Sequence, residues 1–279
     1  MHHLPAFARL QTPVFAHLQI VRPLMVLTLA GLCGANAVHA APTGLLNDTG
    51  QTQCANAADT LVACDAATTG DTGERPRQDG RFGRDAANPA KVGGGPAGFD
   101  FTPLDASGNA IALTGSPAVP ASTPACIHDN VTNLDWEVKT DTPGLHYIFD
   151  TYSWHNSNPA TNGGDAGAAN GGTCYTSGHC DTENFAADVN AATLCGTSNP
   201  NPWRLPTRRE LLSIVHNGLS AAPAVDVAYF PNTLLSAYLS SDTYASFPSL
   251  AWVVIFNAGA STAGVKSSPV GARLVRSGP

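Results

Sequence analysis

Five histidines outside the N-terminal segment are the first candidates for metal binding or acid–base chemistry. They are His128, His146, His155, His179 and His216. A metal site would need two of them four residues apart on a helix, or close together on adjacent strands. No pair has helical spacing, and His216 falls near the predicted end of a helix, where a cation favours the helix dipole. We therefore predict no bound metal and no catalytic histidine.

Acids, cysteines and nucleotide motifs give no stronger sign of catalysis. Four acids could surround calcium in a loop: Asp71, Glu74, Asp79 and Asp85. They lack the Asp-x-Asp-x-Asp-Gly order, so a solvated loop is favoured. His179 could activate the Cys180 thiol, but a short disulfide to Cys174 is the preferred interpretation. No Ser/His/Asp motif, Walker loop or dinucleotide glycine motif appears, so we predict no enzyme activity and no cofactor.

The clustered arginines and the tryptophans could each contact a ligand or pack within the fold. The arginines are Arg204, Arg208, Arg209, Arg273 and Arg276, and we expect them to pair with acids such as Glu210 and Glu183. Trp136, Trp203 and Trp252 are predicted core anchors. Trp154, beside a Gly/Asn-rich insertion at 156–172, is the predicted exposed aromatic and a candidate ligand-binding residue.

Residues 203–217 specify an extended entry, a capped helix and its exit. Pro206 keeps Leu205 extended. Thr207 and Glu210 have the Thr-x-x-Glu spacing of a capping box, placed directly before an apolar run. The sequence therefore predicts a helix over 207–217, with Trp203 and Arg204 in the extended segment before it.

This segment, WRLPTRREL, resembles the hallmark of the Lcl C-terminal domain family, named for the C-terminal domain of a bacterial collagen-like surface adhesin. Other segments follow in the family's order: Asp129–Glu137, Cys180–Glu183, Val189–Ala191, Leu194–Gly196, Tyr229–Pro231, Ala251–Val254 and Arg273–Arg276. The resemblance covers about residues 125–279. Asn133 stands where the family usually has Gly, and Asn tolerates the positive φ that such a turn needs.

The order of predicted elements is α+β. A strand at 131–138 is followed by helices at 182–194 and 207–217, and strands at 252–256 and 272–276 return to pair with the first. The resemblance implies a C-type-lectin-like domain with two helices and a small antiparallel sheet. It also implies a surface-adhesion or ligand-display role, and it names no ligand.

The domains are predicted as residues 1–40, a signal peptide; 41–115, a loop-rich disulfide-bonded module; 116–124, a Pro/Ala linker; and 125–279, the Lcl-like domain. Arg9 and Arg22 are the only charged side chains of the first segment, which ends in a small-residue cleavage site at 37–40. We expect an exported protein, periplasmic, cell-surface or secreted. An uncleaved anchor is the alternative.

Cleavage after residue 40 would leave 12 basic and 21 acidic residues, a charge of −9. Such a surface repels nucleic acid. No later segment approaches the length of a membrane span. The expected partner is therefore an extracellular glycan or protein, with a homo-oligomer left open.

Six cysteines remain after such cleavage, an even set that predicts disulfides in an exported chain. Six cysteines allow fifteen pairings. Local spacing favours Cys54–Cys64 and Cys174–Cys180, which leaves Cys126–Cys195. A zinc site is the rival interpretation, but no two CxxC pairs occur.

The function that follows is a non-enzymatic ligand-binding or adhesion module. The alternatives are an assembly component of a surface complex and, third, an enzyme of the formylglycine-generating type. Such oxidases need a reactive cysteine pair near the C-terminus, and no cysteine follows Cys195. Loops after the second helix carry the favoured ligand-binding aromatics, Tyr238, Tyr244 and Phe247.

Overall fold

The computed structural model describes residues 47–64, 78–197 and 199–279. The predicted signal peptide, and Asp71 and Glu74 of the acidic loop, lie outside these residues. Within them are three helices: α1 (Asp79–Phe82), α2 (Thr182–Ala191) and α3 (Arg208–Ser213). The helix α1 lies in the N-terminal module, and α2 and α3 correspond to the two helices predicted from the sequence.

The strands of the described residues form four antiparallel sheets. Two are small hairpins: β1 (Cys54–Ala55) with β2 (Leu61–Val62), and β4 (Leu113–Thr114) with β5 (Val119–Pro120). The four-stranded sheet has the order β11-β7-β6-β3, from β3 (Phe101–Leu104), β6 (Cys126–Asp129), β7 (Leu134–Glu137) and β11 (Val275–Ser277). The three-stranded sheet has the order β10-β9-β8, from β8 (Ala237–Thr243), β9 (Leu250–Ile255) and β10 (Ala260–Val265). Helices beside antiparallel sheets make the fold α+β, as predicted. The expectation that the strand at 252–256 pairs with the first strand is wrong, because β9 pairs with β8 and β10 in a separate sheet.

The C-terminal strand closes the four-stranded sheet. Val275 of β11 lies opposite Trp136 of β7, so the end of the chain pairs with the opening strand of the Lcl-like segment. The turn between β6 and β7 holds Asn133 at a φ of 55°, the positive value expected where the family usually has Gly. On the other edge, Phe101 of β3 pairs with Asp129 of β6, so a strand from before the linker joins the same sheet.

Both predicted helices form, and both end earlier than expected. The helix α2 stops at Ala191 because Thr193 and Cys195 adopt positive φ values of 53° and 54°, which no helix accommodates. The helix α3 stops at Ser213. The chain then turns so that the N–H of His216 donates to Ala224 O, away from the helix axis.

Two hydrophobic clusters form the core, and the β8-β9 hairpin lies between them. Tyr238 and Val254 belong to one cluster, whereas their neighbours Leu239 and Val253 belong to the other. Successive side chains of a strand point to opposite faces, so the same two strands serve both clusters. Trp136 anchors the first cluster, and Trp154 and Trp203 the second.

Three disulfides reinforce the fold, with the pairing expected from spacing: Cys54–Cys64, Cys126–Cys195 and Cys174–Cys180. The second joins β6 to the turn after α2 across 69 residues. In the chain-entropy model a loop of that length contributes about 4 kcal/mol. All six cysteines of the described residues are used.

Candidate functional site: a cleft beside helix α2

A cleft of 540 Å³, here called the α2 cleft, opens beside the first turns of α2. Four segments form its walls: residues 154–156 with Thr161, residues 182–186 of α2, residues 203–205, and Ser241 with Asp242 on β8. Its volume falls in the range of small-molecule binding sites. Its walls combine tryptophan rings with carboxylates, hydroxyls and amides.

The insertion 156–172 has no regular secondary structure beyond isolated bridges, yet buried side chains hold its backbone in place. The Lys266 ammonium donates to Asn162 O at 2.8 Å and to Asp165 O at 2.6 Å. Thr243 Oγ1 also donates to Asn162 O at 3.1 Å. Because Lys266 is buried, its pKa is lowered, although the nearby Asp165 opposes that shift. The insertion therefore forms a fixed wall of the cleft.

The start of α2 is held by Asp181. Its Oδ1 accepts from the N–H of Glu183 at 3.0 Å and of Asn184 at 2.9 Å, and its Oδ2 accepts from Asn170 N at 3.1 Å. Burial opposes the charge, but the hydrogen bonds from Asn184 and Asn170 outweigh it and lower the pKa of Asp181. One ionised carboxylate thus caps the helix and fixes the insertion to it.

Glu183, two residues after Asp181, presents a carboxylate to the cleft. Ser157 donates to it twice, from its hydroxyl to Oε1 at 2.6 Å and from its N–H to Oε2 at 2.9 Å. His155 Nδ1 lies 3.0 Å from Oε2, but not in line for a hydrogen bond. The Glu183 side chain is 43% exposed, so it is oriented by the protein while remaining open to a ligand.

The third wall carries Arg204, whose charge is already paired. Its guanidinium binds Glu210 in a bidentate manner, at 2.8 Å and 2.6 Å. Glu210 also accepts from Thr207 N, and Thr207 Oγ1 accepts from Glu210 N, so the predicted capping box is present. The hydrogen bond to Glu210 raises the pKa of Arg204, while burial opposes it. Arg204 therefore brings donors to the cleft without a free positive charge.

Helix α2 also positions the third wall directly. Asn190 Oδ1 accepts from Trp203 N at 2.7 Å, and Asn190 Nδ2 donates to Trp203 O at 2.9 Å. On its other side, Arg204 exchanges backbone hydrogen bonds with Val275 of β11. Leu205 and Pro206 follow outside any helix or strand, and Thr207 is extended, with φ −66° and ψ 161°. The segment is thus fixed between the helix and the four-stranded sheet.

Trp154 and Trp203 form the floor of the cleft, and both are buried. Trp203 was expected in the core, and its Nε1 donates to Leu194 O at 3.3 Å. The expectation that Trp154 is exposed is wrong, because only 1% of it is accessible. Its Nε1 donates to Ser240 O at 2.9 Å, and the Lys266 ammonium covers its ring. Both rings satisfy their N–H groups internally, so neither indole N–H is free to bind a ligand.

The three other predicted ligand-binding aromatics separate into two environments. Tyr238 is 1% exposed, packs edge-on against Phe256 and accepts from Leu234 N, so the expectation that it lies on the surface is wrong. Its place on β8 turns it into the first core cluster. Tyr244 and Phe247 lie in the loop between β8 and β9, with stacked rings 6.1 Å apart, and Phe247 is 60% exposed.

A row of contacts connects these two aromatics with the α2 cleft. Asp242 Oδ2 accepts from Arg208 N at 2.8 Å, and the Arg208 guanidinium lies 4.1 Å from the centroid of the Trp252 ring. Trp252 packs edge-on against Tyr244 at 5.0 Å. The expectation that Trp252 is a core anchor is wrong, because it is only partly buried and belongs to neither core cluster. We call Arg208, Trp252, Tyr244 and Phe247 the aromatic strip. It begins at a residue bonded to the cleft wall and ends on an exposed phenylalanine.

An acidic cluster lies apart from the α2 cleft. Carboxylate oxygens of Asp48, Asp79 and Asp85 lie within 4.8 Å of one another. Asp48 already accepts from Gly50 N and Asp85 N, and Asp79 accepts from the Thr49 hydroxyl. Burial and then the charge of Asp48 raise the pKa of Asp85. Asp48 and Asp79 thus each have protein donors of their own, whereas Asp85 Oδ1 has no hydrogen-bond partner among the described residues. Close carboxylates alone do not identify a cation site.

The sequence did not single out Asn156, Ser241 or Asp242, and it offered His155 only as a candidate for metal binding or acid–base chemistry. The four residues form two short segments, 155–156 and 241–242, which lie far apart in the chain and have no motif around them. The one available signal was Asp181-Thr-Glu183, an N-cap followed by an acid, which predicts a helix start. A helix start indicates where a carboxylate is held, but it does not show which distant residues face it.

The fold and the cleft define an α+β, disulfide-bonded protein with a walled cleft. A family model described as the Lcl C-terminal domain matches residues 125–276, more than half of the chain, and the protein belongs to that family. No curated protein and no solved structure matches the chain. Among the described residues, no helix is long and apolar enough to cross a membrane.

Proposed function

We propose that this protein is an exported, surface-associated ligand-binding module that holds an extracellular glycan or protein ligand in the α2 cleft without catalysing a reaction. The observation that carries the proposal is the construction of the cleft, in which backbone and side-chain hydrogen bonds pre-orient Glu183 and Asp242 on facing segments. Polar groups fixed before the ligand arrives lower the entropy cost of binding. The three disulfides support export, because disulfides persist in oxidising compartments.

The contacts of the candidate reactive groups support binding rather than catalysis. The Ser157 hydroxyl donates to Glu183, and His155 Nδ1 also faces Glu183. An activated serine would instead hold its hydroxyl on the imidazole nitrogen that accepts its proton. Ser157 therefore orients the Glu183 carboxylate, and His155 lies beside that carboxylate rather than beside the serine hydroxyl. Because of these contacts, we also propose that the domain has a non-enzymatic role.

We also propose that ligand binding is independent of calcium, on a C-type-lectin-like scaffold. Calcium-dependent sugar sites of that scaffold use a Glu-Pro-Asn or Gln-Pro-Asp segment, and the nearest string here is residues 199–202, without an acid. Asn199 Nδ2 donates to Asp135 Oδ2 at 3.0 Å and to Ser277 O at 2.7 Å. Its amide is thus committed to fixing the C-terminal strand.

The test is a binding screen of the disulfide-bonded protein against extracellular glycans and matrix proteins, with and without EDTA. Ser241→Tyr places a ring in the α2 cleft, and Glu183→Gln removes a charge while keeping the shape. Both variants should weaken any ligand found by about 10-fold or more. Thr262→Tyr, on an exposed position of β10, is the matched control and should bind as the unaltered protein does.

Equal binding by Ser241→Tyr and Thr262→Tyr would remove the α2 cleft from the proposal. Loss of binding on adding EDTA would overturn its calcium independence. Turnover of a bound glycan or protein, followed by product analysis, would overturn the non-enzymatic role.

The alternative is an assembly role, and the exposed end of the aromatic strip favours it. An exposed phenylalanine next to a stacked tyrosine resembles the aromatic anchors of protein interfaces. Under this alternative, Phe247→Ala would shift the protein from an oligomer to a monomer in analytical ultracentrifugation. A protein that is monomeric with Phe247 intact would leave ligand binding as the only role proposed here.

A further inference from the structure

A second cavity, here called the proline cavity, is lined by Pro96, residues 117–119 and residues between 216 and 228. It measures 460 Å³, and its walls include Pro96, Pro117, Val119, Leu219, Pro223 and Asp226. It shares no lining residue with the α2 cleft. The lining is mainly aliphatic and prolyl, and such a cavity takes the apolar part of a ligand.

The walls of the proline cavity are tied to the core. Tyr229 Oη donates to Ala118 O at 2.9 Å, which joins the 117–119 wall to the buried Tyr229-Phe230 pair. Ala224 N donates to Phe256 O at 2.6 Å, which fixes the opposite wall to the end of β9. The cavity is therefore a pre-formed feature of the fold.

Asp226 is the single carboxylate in this apolar lining. Its Oδ1 accepts from Ala228 N at 2.9 Å, and no lysine or arginine of the described residues pairs with it. Burial raises the pKa of the Asp226 carboxyl. A partly buried carboxylate without a cation is costly, and a ligand that supplies the cation would relieve that cost.

The one titratable neighbour of Asp226 in the lining is a buried histidine. His216 Nδ1 accepts from Gly218 N at 3.2 Å, so that nitrogen carries no proton. Burial also lowers the pKa of His216, which favours the neutral ring. The protein thus places a neutral imidazole rather than a positive charge beside the carboxylate.

We propose that the proline cavity binds a small amphipathic amine, with its apolar body against the prolines and its ammonium group on Asp226. The proposed ligand complements the cavity, because the apolar walls accept its apolar body and the one unpaired carboxylate accepts its positive charge. A neutral ligand of the same shape would leave that carboxylate unpaired, and an anionic ligand would be repelled by it.

The test uses three six-carbon ligands with different head groups, hexylamine, hexanol and hexanoate, titrated into the full disulfide-bonded chain at neutral pH. Protein-observed NMR or calorimetry should give the tightest binding for hexylamine, by about 10-fold over hexanol. Hexanoate should bind most weakly. Equal binding of amine and alcohol, a preference for hexanoate, or no binding of any ligand at millimolar concentration would overturn the proposal.

Variants of the protein then test whether these ligands bind in the proline cavity. Asp226→Asn keeps an acceptor for Ala228 N–H and should remove the preference for the amine. Ala221→Trp, on an exposed part of the rim, should weaken amine and alcohol together. Asp141→Asn is the control, because Asp141 is an exposed carboxylate outside both cavities, and it should leave hexylamine binding unchanged. The ligand series on the unaltered protein decides the proposal even if a variant does not fold.

Discussion

The ammonium nitrogen of Lys266 lies 3.7 Å from the ring centroid of Trp154, and both side chains are buried. The same ammonium holds two carbonyls of the insertion 156–172. One lysine therefore fixes the floor and one wall of the α2 cleft together. A cation on a desolvated indole contributes about 2 kcal/mol, and hydrogen bonds from a charged donor add to it.

The first prediction concerns this lysine. Lys266→Met keeps most of the apolar stem but removes the cation and its two hydrogen bonds, leaving Asn162 O and Asp165 O with fewer donors. We expect a loss of about 2–4 kcal/mol in the free energy of unfolding. Urea unfolding measures it, with Ser268→Met on the exposed neighbouring turn as control. Equal stability of the two variants would show that the insertion does not depend on Lys266.

The second prediction compares the cap and the anchor of the WRLPTRREL segment. Thr207→Ala removes one half of the capping box and should cost about 1 kcal/mol. Trp203→Ala opens a cavity in the second core cluster and should cost about 3–5 kcal/mol. Denaturant melts of both variants test the ratio. Equal losses would contradict the burial of Trp203.

The third prediction follows from Glu137, which is fully buried. Burial opposes its charge, but Lys139 and His146 outweigh that and lower its pKa from 4.5 to about 2. A carboxylate whose pKa is lower in the folded state stabilises the fold above the unfolded pKa and loses that contribution as the pH falls towards the folded value. Stability should therefore decline between pH 4.5 and pH 2.

Glu137→Gln tests this linkage. Removing one partner of a buried charged group should cost about 3–5 kcal/mol at pH 7, because Lys139 is left buried and unpaired. The decline in stability between pH 4.5 and pH 2 should also become shallower than in the unaltered protein. Urea melts across this range provide the measurement. An unchanged slope would mean that other carboxylates cause the acid sensitivity.

The fourth prediction separates exposed from buried aromatics. Tyr244→Ala combined with Phe247→Ala removes the outer half of the aromatic strip and should lower the melting temperature little, since Phe247 is exposed. If the strip extends the α2 cleft, ligand affinity should fall by about 10-fold. Phe149→Ala, another exposed phenylalanine, is the control. Full affinity in the double variant would confine the site to the α2 cleft.

Tyr238→Ala should behave in the opposite way. Its ring fills the first core cluster, so its loss should destabilise the protein by about 3 kcal/mol or more. A melting temperature close to that of the unaltered protein would contradict the buried position. Replacing Tyr238, Tyr244 and Phe247 together would mix these two effects, so the single and double variants are needed.

The sequence by itself determined the features that rest on short-range chemistry. The capping box of Thr207 and Glu210 needs only residues three apart and a proline before them. The positive φ of Asn133 follows from a tight turn between two strands. The disulfide pairing followed from an even count and two short spacings, and the family resemblance followed from several motifs in one order.

Tertiary structure alone decided which side chains face the α2 cleft and which aromatics are buried. Trp154 looked exposed beside a glycine-rich insertion, but Lys266 holds that insertion through Asn162, 104 residues away, and covers the ring. Tyr238 lies in a strand that has a core cluster on each face. The alternation of side chains along the strand therefore does not bring Tyr238 to the surface. The burial of a side chain depends on which distant segment packs over it. The spacing of neighbouring residues in the sequence does not indicate that contact.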